Sequence, residues 1–377
     1  MATLSSARVK GREVELSWVD GRPGAVLPLL WLRDNCTSPA SQHPETKQRL
    51  VDTFNIPTDV AANAIEIEDE GRILRVDWAE DGHVSRFESG FLAGLRFNPD
   101  VLPVGIKTWD RDSIAQSAPT VPYAGFLADE AVLKEFLEHV AVDGFCFVEG
   151  TPGTPEGTKT VAARITYIRE TIFGGYWDVT ANMEHKDTAY TSMAIGPHTD
   201  GTYSLDAPGY QMFHCLAADC TGGENVLIDG FRIAELMRRE HPEDYRILCS
   251  IAIPGQYIDQ GRGIHLMARR PLLRLDDSGN LVQVSYNNYD RAPFALPGAQ
   301  QSAFYAALAT FDGYCKDERL QLRRRLLPGS VLLFDNWRVL HARDAYVGHR
   351  RLSGVYFNKE DVQSRLRSLR AKSGEAV

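Results

Sequence analysis

The feature that most constrains this chain is a recurring short segment that alternates apolar and polar side chains between turn residues. Val14 to Trp18, Ile65 to Asp69 and Ile73 to Trp78 show it early, with Gly21, Gly71 and Gly82 as turns. Tyr210 to Leu216, Asn225 to Ile228, Leu281 to Tyr286, Val331 to Phe334 and Leu352 to Phe357 read as further short strands. A period of two marks strands with one buried face. Helical periodicity interrupts it. From Glu130 to Val140 one helix face collects Val132, Leu133, Phe136, Leu137 and Val140, and Asp143-Gly144 stops it before a buried strand, Phe145 to Val148. Further helices are predicted over Gly157 to Glu170, over Ile233 to Glu240 behind a cap at Asp229, and over Gln301 to Lys316. Strands with segregated helices predict a mainly β fold with helical inserts, a barrel or sandwich of jelly-roll type. The chain has no phosphate loop and no Gly-x-Gly-x-x-Gly, so a nucleotide-binding parallel sheet is not expected. Residues 1–105 read as a small β-rich N-terminal domain, 106–122 as a linker and 123–377 as the larger domain.

Composition narrows the function classes. The 377 residues are 44% hydrophobic and 24% charged, which is ordinary globular usage. A net charge of −9 argues against a nucleic-acid surface. No apolar run reaches the roughly 20 residues of a membrane helix, and the first residues lack a signal-peptide core. A cytoplasmic protein with neither membrane nor nucleic-acid partner is expected. Six cysteines with no Cys-x-x-Cys pair read as small buried hydrophobes, Cys215 and Cys220 included.

The informative segment is Gly196-Pro197-His198-Thr199-Asp200-Gly201-Thr202-Tyr203. On a strand, residues i and i+2 share a side, so His198 and Asp200 can aim an imidazole and a carboxylate at one point. A second imidazole would complete a facial triad that leaves positions open on Fe(II). His-x-Asp alone is weak, since His185-Lys186-Asp187 repeats it. Context favours His198, because a distal partner exists in Phe334-Asp335-Asn336-Trp337-Arg338-Val339-Leu340-His341. Arg350 follows nine residues later, opening the next strand, where its guanidinium can fork a dicarboxylate.

At this point the chain resembles a known family, the Fe(II)/2-oxoglutarate-dependent dioxygenases of carnitine biosynthesis. The resemblance is greatest to its trimethyllysine-hydroxylating branch, then to its γ-butyrobetaine-hydroxylating branch, and covers nearly the whole sequence. It is carried by Trp31-Leu32-Arg33-Asp34-Asn35-Cys36, Arg169 to Gly174, Asp187-Thr188-Ala189-Tyr190-Thr191 and His198-Thr199-Asp200. It continues through Phe213 to Leu216, Thr221-Gly222-Gly223, Asp229-Gly230-Phe231, Tyr286 to Arg291 and Asp335 to His341. The resemblance implies a double-stranded β-helix catalytic domain behind a small N-terminal domain. It implies His198, Asp200 and His341 as iron ligands, Arg350 as the clamp on the far carboxylate of 2-oxoglutarate, and Asn225 beside that cosubstrate. With O2, such an enzyme hydroxylates a C–H bond and releases succinate and CO2. A homodimer is also implied.

The resemblance further implies an aromatic cage for a trimethylammonium head from Phe173, Trp177, Tyr190 and Tyr356, with Tyr203 nearby. A quaternary ammonium donates no hydrogen bond and is held over aromatic faces instead. Phe173 is a departure, because relatives tend to carry Tyr there. Asp187 stands where γ-butyrobetaine enzymes look more like Asn, and a carboxylate suits the α-ammonium of trimethyllysine. The expected activity is therefore 3-hydroxylation of N6-trimethyllysine. The alternatives are γ-butyrobetaine or another amino acid as substrate, or a non-catalytic binder of a quaternary ammonium ligand or 2-oxoglutarate. Relatives also tend to hold zinc in the N-terminal domain. Here Cys36 and His83 match two ligands, but the next residues read Thr37-Ser38-Pro39-Ala40-Ser41. Even with His43 as a candidate third ligand, no structural zinc is expected.

Overall fold

The structure, a computed structural model, describes residues 2–95, 105–179 and 191–373. Two compact units divide the chain, Met1–Val101 and Leu102–Val377. Among the described residues, no helix is long and apolar enough to cross a membrane.

The first unit contains two three-stranded antiparallel sheets. One comprises β1 (Leu4–Lys10), β2 (Glu13–Trp18) and β3 (Ala25–Pro28), the other β4 (Ala62–Glu68), β5 (Ile73–Trp78) and β6 (Val84–Glu88). Alternation does what period two requires. Along β5, Leu74, Val76 and Trp78 are buried while the residues between them are partly exposed. These side chains join Val14, Leu16, Trp18, Leu32 and Phe87 in one core. Burying each such side chain contributes about 1.5–3 kcal/mol.

The second unit is built on two sheets. The larger uses β7 (Thr120–Pro122), β8 (Phe145–Glu149), β9 (Trp177–Val179), β11 (Tyr210–Gly222), β18 (Val331–Asp335) and β20 (Tyr346–Phe357), in the order β7-β8-β18-β11-β20-β9. The smaller uses β10 (Ile195–His198), β12 (Asn225–Asp229), β17 (Gln321–Arg324) and β19 (Val339–Arg343), in the order β10-β19-β12-β17. Phe145, Phe147, Leu332, Phe334 and Leu352 of the larger sheet meet Leu227, Leu322 and Val339 of the smaller one in a shared core. Helices Glu130–Val142, Pro155–Ile165 and Lys359–Lys372 contribute to a core with the outer face of the larger sheet. Helices Gly230–Glu240, Pro242–Ser250 and Gly298–Lys316 do the same on the smaller sheet. This is the expected jelly-roll. Two antiparallel ribbons complete it: β13 (Ala252–Asp259) with β14 (Ile264–Pro271), and β15 (Leu273–Leu275) with β16 (Leu281–Val284).

Three local differences from the sequence reading have physical causes. The helix predicted over Gly157 to Glu170 ends at Ile165. Thr166 is extended, and the Arg169 amide donates to Tyr356 O at 2.7 Å, which ties the following segment to β20. The residues read as a linker pack into the second unit: Trp109 is buried, its indole N–H donates to Asp143 O at 2.7 Å, and β7 pairs parallel with β8. A buried ion pair secures this segment. Arg338 donates to both Asp229 oxygens at 3.1 and 2.8 Å, and to Val142 O and Lys107 O at 2.8 and 2.7 Å. Finally, Asp200 lies in the turn after β10, not on the strand. Gly201, with φ +73°, turns the chain away, and the Thr199 amide pairs with Tyr286 O at 2.7 Å.

Candidate active site

The metal-ligand candidates are brought together by strand register. His198 and His341 are directly paired residues of β10 and β19, with ring centroids 4.1 Å apart. Asp200 completes the group: its Oδ1 lies 3.4 Å from His198 Nε2 and its Oδ2 3.9 Å from His341 Nε2. One potential ligand atom from each residue falls within 4.8 Å of the others, the one such group of three among the described residues. Asn336 holds the Asp200 backbone from both sides. Its side-chain oxygen accepts from the Asp200 amide at 2.8 Å, and its amide nitrogen donates to Asp200 O at 3.0 Å.

Protonation suits a cation. His198 Nδ1 sits 2.8 Å from Gly196 O, and a carbonyl only accepts, so Nδ1 carries a proton and Nε2 is the nitrogen turned toward Asp200. Burial and the neighbouring His198 push His341 down to about 3, leaving it neutral. Burial alone would raise the Asp200 carboxyl, but the two imidazoles and the Tyr356 hydroxyl hold it well below the usual carboxylate range. For His198 burial opposes charge, yet Asp200 raises its pKa overall. Two imidazoles and an ionised carboxylate are a donor set that fits Fe(II).

The same cavity is lined by Arg350 and Asn225. Arg350 is 5% exposed, and its guanidinium donates to Asn225 Oδ1 at 3.0 Å. Desolvation lowers its pKa without discharging a guanidinium. Phe173, Trp177, Tyr203 and Tyr356 line the cavity as well. Trp177 and Tyr356 lie 5.6 Å apart between ring centroids. Asp187 and Tyr190, predicted for the same pocket, lie outside the described residues.

Sequence reasoning missed two groups here. Arg343 also lines the cavity and is buried, with Nη2 donating to Thr191 O and Met193 O at 2.6 and 2.7 Å. Desolvation and the nearby Arg350 lower it to about 10. Its signal was present: it stands two residues after His341 on one strand, hence on the same side. Asn287, Tyr289 and Asp290 also line the cavity, inside a segment quoted for its resemblance but given no role.

In the first unit, Cys36 Sγ and Ser38 Oγ each lie 3.2 Å from His83 Nε2. Burial raises the thiol, but hydrogen bonds from His83 and Ser38 lower it to about 6 overall. His43 is engaged elsewhere, its Nδ1 accepting from the Glu45 and Thr46 amides at 3.3 and 3.2 Å.

A jelly-roll carrying two histidines and one aspartate in a cavity with a buried arginine defines an iron-dependent oxygenase. Comparison with known proteins makes the class specific. Residues 110–356 match the taurine catabolism dioxygenase TauD, TfdA family, and residues 6–92 match a gamma-butyrobetaine hydroxylase-like N-terminal family. Trimethyllysine dioxygenase of Meyerozyma guilliermondii is 34% identical over 95% of this chain and 94% of its own. Human mitochondrial trimethyllysine dioxygenase is 33% identical over 90% and 82%. Gamma-butyrobetaine dioxygenase of Pseudomonas sp. strain AK-1 is 33% identical over 97% and 96%. The chain belongs to the TauD/TfdA family of dioxygenases, and its cofactor and cosubstrate are Fe(II) and 2-oxoglutarate.

Proposed function

We propose that the protein hydroxylates N6-trimethyllysine at C3, with succinate and CO2 as coproducts, as a step of carnitine biosynthesis. The observation that carries this reading is one cavity that joins the His198, Asp200 and His341 group to Arg350 and to four aromatic side chains. Relatives named trimethyllysine dioxygenase over most of the chain support it. In this reading His198, Asp200 and His341 hold the iron, which with 2-oxoglutarate supplies the oxygen chemistry.

The remaining work belongs to this chain. Arg350, fixed by Asn225, grips a carboxylate through a charge-assisted bond. Phe173, Trp177, Tyr203 and Tyr356 take the trimethylammonium head, each cation–π contact contributing about 0.5–2 kcal/mol. Leu227, Leu332 and Phe213 supply apolar wall that excludes water. Asp187, by sequence, pairs with the α-ammonium. A homodimer and a cytoplasmic location go with this reading; light scattering and cell fractionation test them.

A second reading, γ-butyrobetaine hydroxylation, is favoured by the 33% identity to the Pseudomonas enzyme. Succinate release measured with trimethyllysine, γ-butyrobetaine and lysine, with product mass, separates them. Trimethyllysine should give the highest kcat/KM and a product heavier by one oxygen. Faster turnover of γ-butyrobetaine would overturn the reading.

A further inference from the structure

Tyr356 presents two groups to the site, a ring and a hydroxyl, and the proposed activity uses only the ring. Its ring lines the cavity and lies beside Trp177. Its hydroxyl donates to Asp200 Oδ2 at 2.7 Å, within the same cavity. That distance is short, as expected for a hydroxyl donating to a carboxylate.

The hydroxyl is itself oriented. Gln211 Nε2 donates to the Tyr356 oxygen at 3.3 Å. An amide N–H already occupies one acceptor position, so the hydroxyl proton is directed at the carboxylate. Gln211 and Tyr356 are directly opposed residues of β11 and β20, and Gln211 is 2% exposed. The three groups therefore form a relay whose first two members stand on paired sheet strands, while the third, Asp200, sits on a turn. A carboxylate on a turn has rotational freedom that strand-borne imidazoles lack. Asn336 fixes its backbone, and the Tyr356 hydroxyl restrains its side chain.

We propose that Tyr356 is a positioning residue for the iron site: its hydroxyl, oriented by Gln211, occupies Asp200 Oδ2 and thereby commits Oδ1 to the metal. Oδ1 is the oxygen 3.4 Å from His198 Nε2. The same ring forms one wall for the substrate, so a substrate head that shifts Tyr356 also shifts the bond restraining the metal carboxylate. The substrate half of this inference rests on the proposed function; the metal half does not.

The test is Tyr356→Phe, which keeps the ring and removes the hydroxyl. Co(II) serves as the probe, titrated into the metal-free protein without substrate and followed by its visible absorption. The expected result is a Kd raised by about tenfold or more with a changed spectrum, the size usual for loss of a bond to a metal-ligating carboxylate. With Fe(II), 2-oxoglutarate and trimethyllysine, KM for trimethyllysine should stay within about twofold. In the same assay kcat should fall, and succinate should exceed hydroxylated product. Gln211→Leu, which leaves the tyrosine in place, should move the Co(II) Kd in the same direction by less. An unchanged Kd and spectrum in both variants would overturn the proposal, as would a loss confined to KM. Failure of the wild-type protein to hydroxylate trimethyllysine would refute the substrate assignment alone, because the Co(II) readout needs no substrate.

Discussion

Gly354 of β20 lies directly across from Trp177 of β9, and a Cβ on Gly354 would stand 2.1 Å from the indole ring. The glycine is therefore what lets the indole lie flat against the sheet and still border the cavity. Gly354→Ala forces Trp177 out of this position at a cost of about 1–3 kcal/mol. KM for the trimethylammonium substrate should rise by about tenfold. Co(II) affinity should hold. Substrate kinetics indistinguishable from wild type would remove Trp177 from the cage.

Arg350 and Asn225 set the grip on the cosubstrate. Arg350→Lys keeps the charge but loses the planar fork. KM for 2-oxoglutarate should rise by at least about tenfold, with the trimethyllysine KM nearly constant. The measurement is initial rate against 2-oxoglutarate at saturating trimethyllysine. A rise in the trimethyllysine KM alone would exchange the roles of the two ends of the cavity.

Metal affinity should fall as pH falls, and with a slope of one proton. In the metal-free protein the His198 pKa is raised by Asp200, so the protonated form is favoured by the fold. Its contribution to apoprotein stability is present below the ordinary histidine pKa and lost as pH rises through the raised one. A cation needs the neutral ring, so the proton competes with it. His341, held at about 3, stays neutral across the range. Co(II) Kd measured from mildly acidic to mildly alkaline pH should change by about tenfold per pH unit on the acid side and level off above. A two-proton slope would contradict the assignment of His341 as the neutral imidazole.

The Arg338–Asp229 pair is buried and fully bonded. Arg338→Met leaves the buried Asp229 carboxylate without its cation and removes the bonds to Lys107 O and Val142 O. Unfolding free energy of the second unit should drop by about 3–5 kcal/mol. Denaturant titration followed by tryptophan fluorescence reads it, and a loss under about 1 kcal/mol would show that the pair is replaceable.

Asp187→Asn should lower kcat/KM for trimethyllysine by at least about tenfold while sparing γ-butyrobetaine. Parallel assays with both substrates decide it. Equal effects on both would take Asp187 out of α-ammonium recognition.

The parts of this architecture legible in the sequence are those with local causes. Period-two burial marked β2 and β5, short mostly apolar stretches marked β11, β12, β18 and the end of β20, and helix periodicity marked Glu130–Val142. The metal group was legible because a short His-x-Asp segment and one distal histidine suffice to suggest it. The illegible parts depend on tertiary pairing. Whether residues 106–122 are tether or core turns on Arg338 and Asp229, more than a hundred residues away. The hydroxyl of Tyr356 reaches Asp200 only because β20 and the turn after β10 converge. Helix Lys359–Lys372 went unread because only Val362, Leu366 and Leu369 of its residues are buried, too few to outweigh its charge.

The central claim is that His198, Asp200 and His341 hold one ferrous ion while Arg350 grips the far carboxylate of 2-oxoglutarate beside it. Anaerobic titration of the metal-free protein with Fe(II) and then 2-oxoglutarate tests it most directly. A visible metal-to-ligand charge-transfer band should grow to one equivalent, disappear in His341→Ala, and need far more 2-oxoglutarate in Arg350→Lys. A band absent from the wild-type protein, or undiminished in His341→Ala, would contradict it.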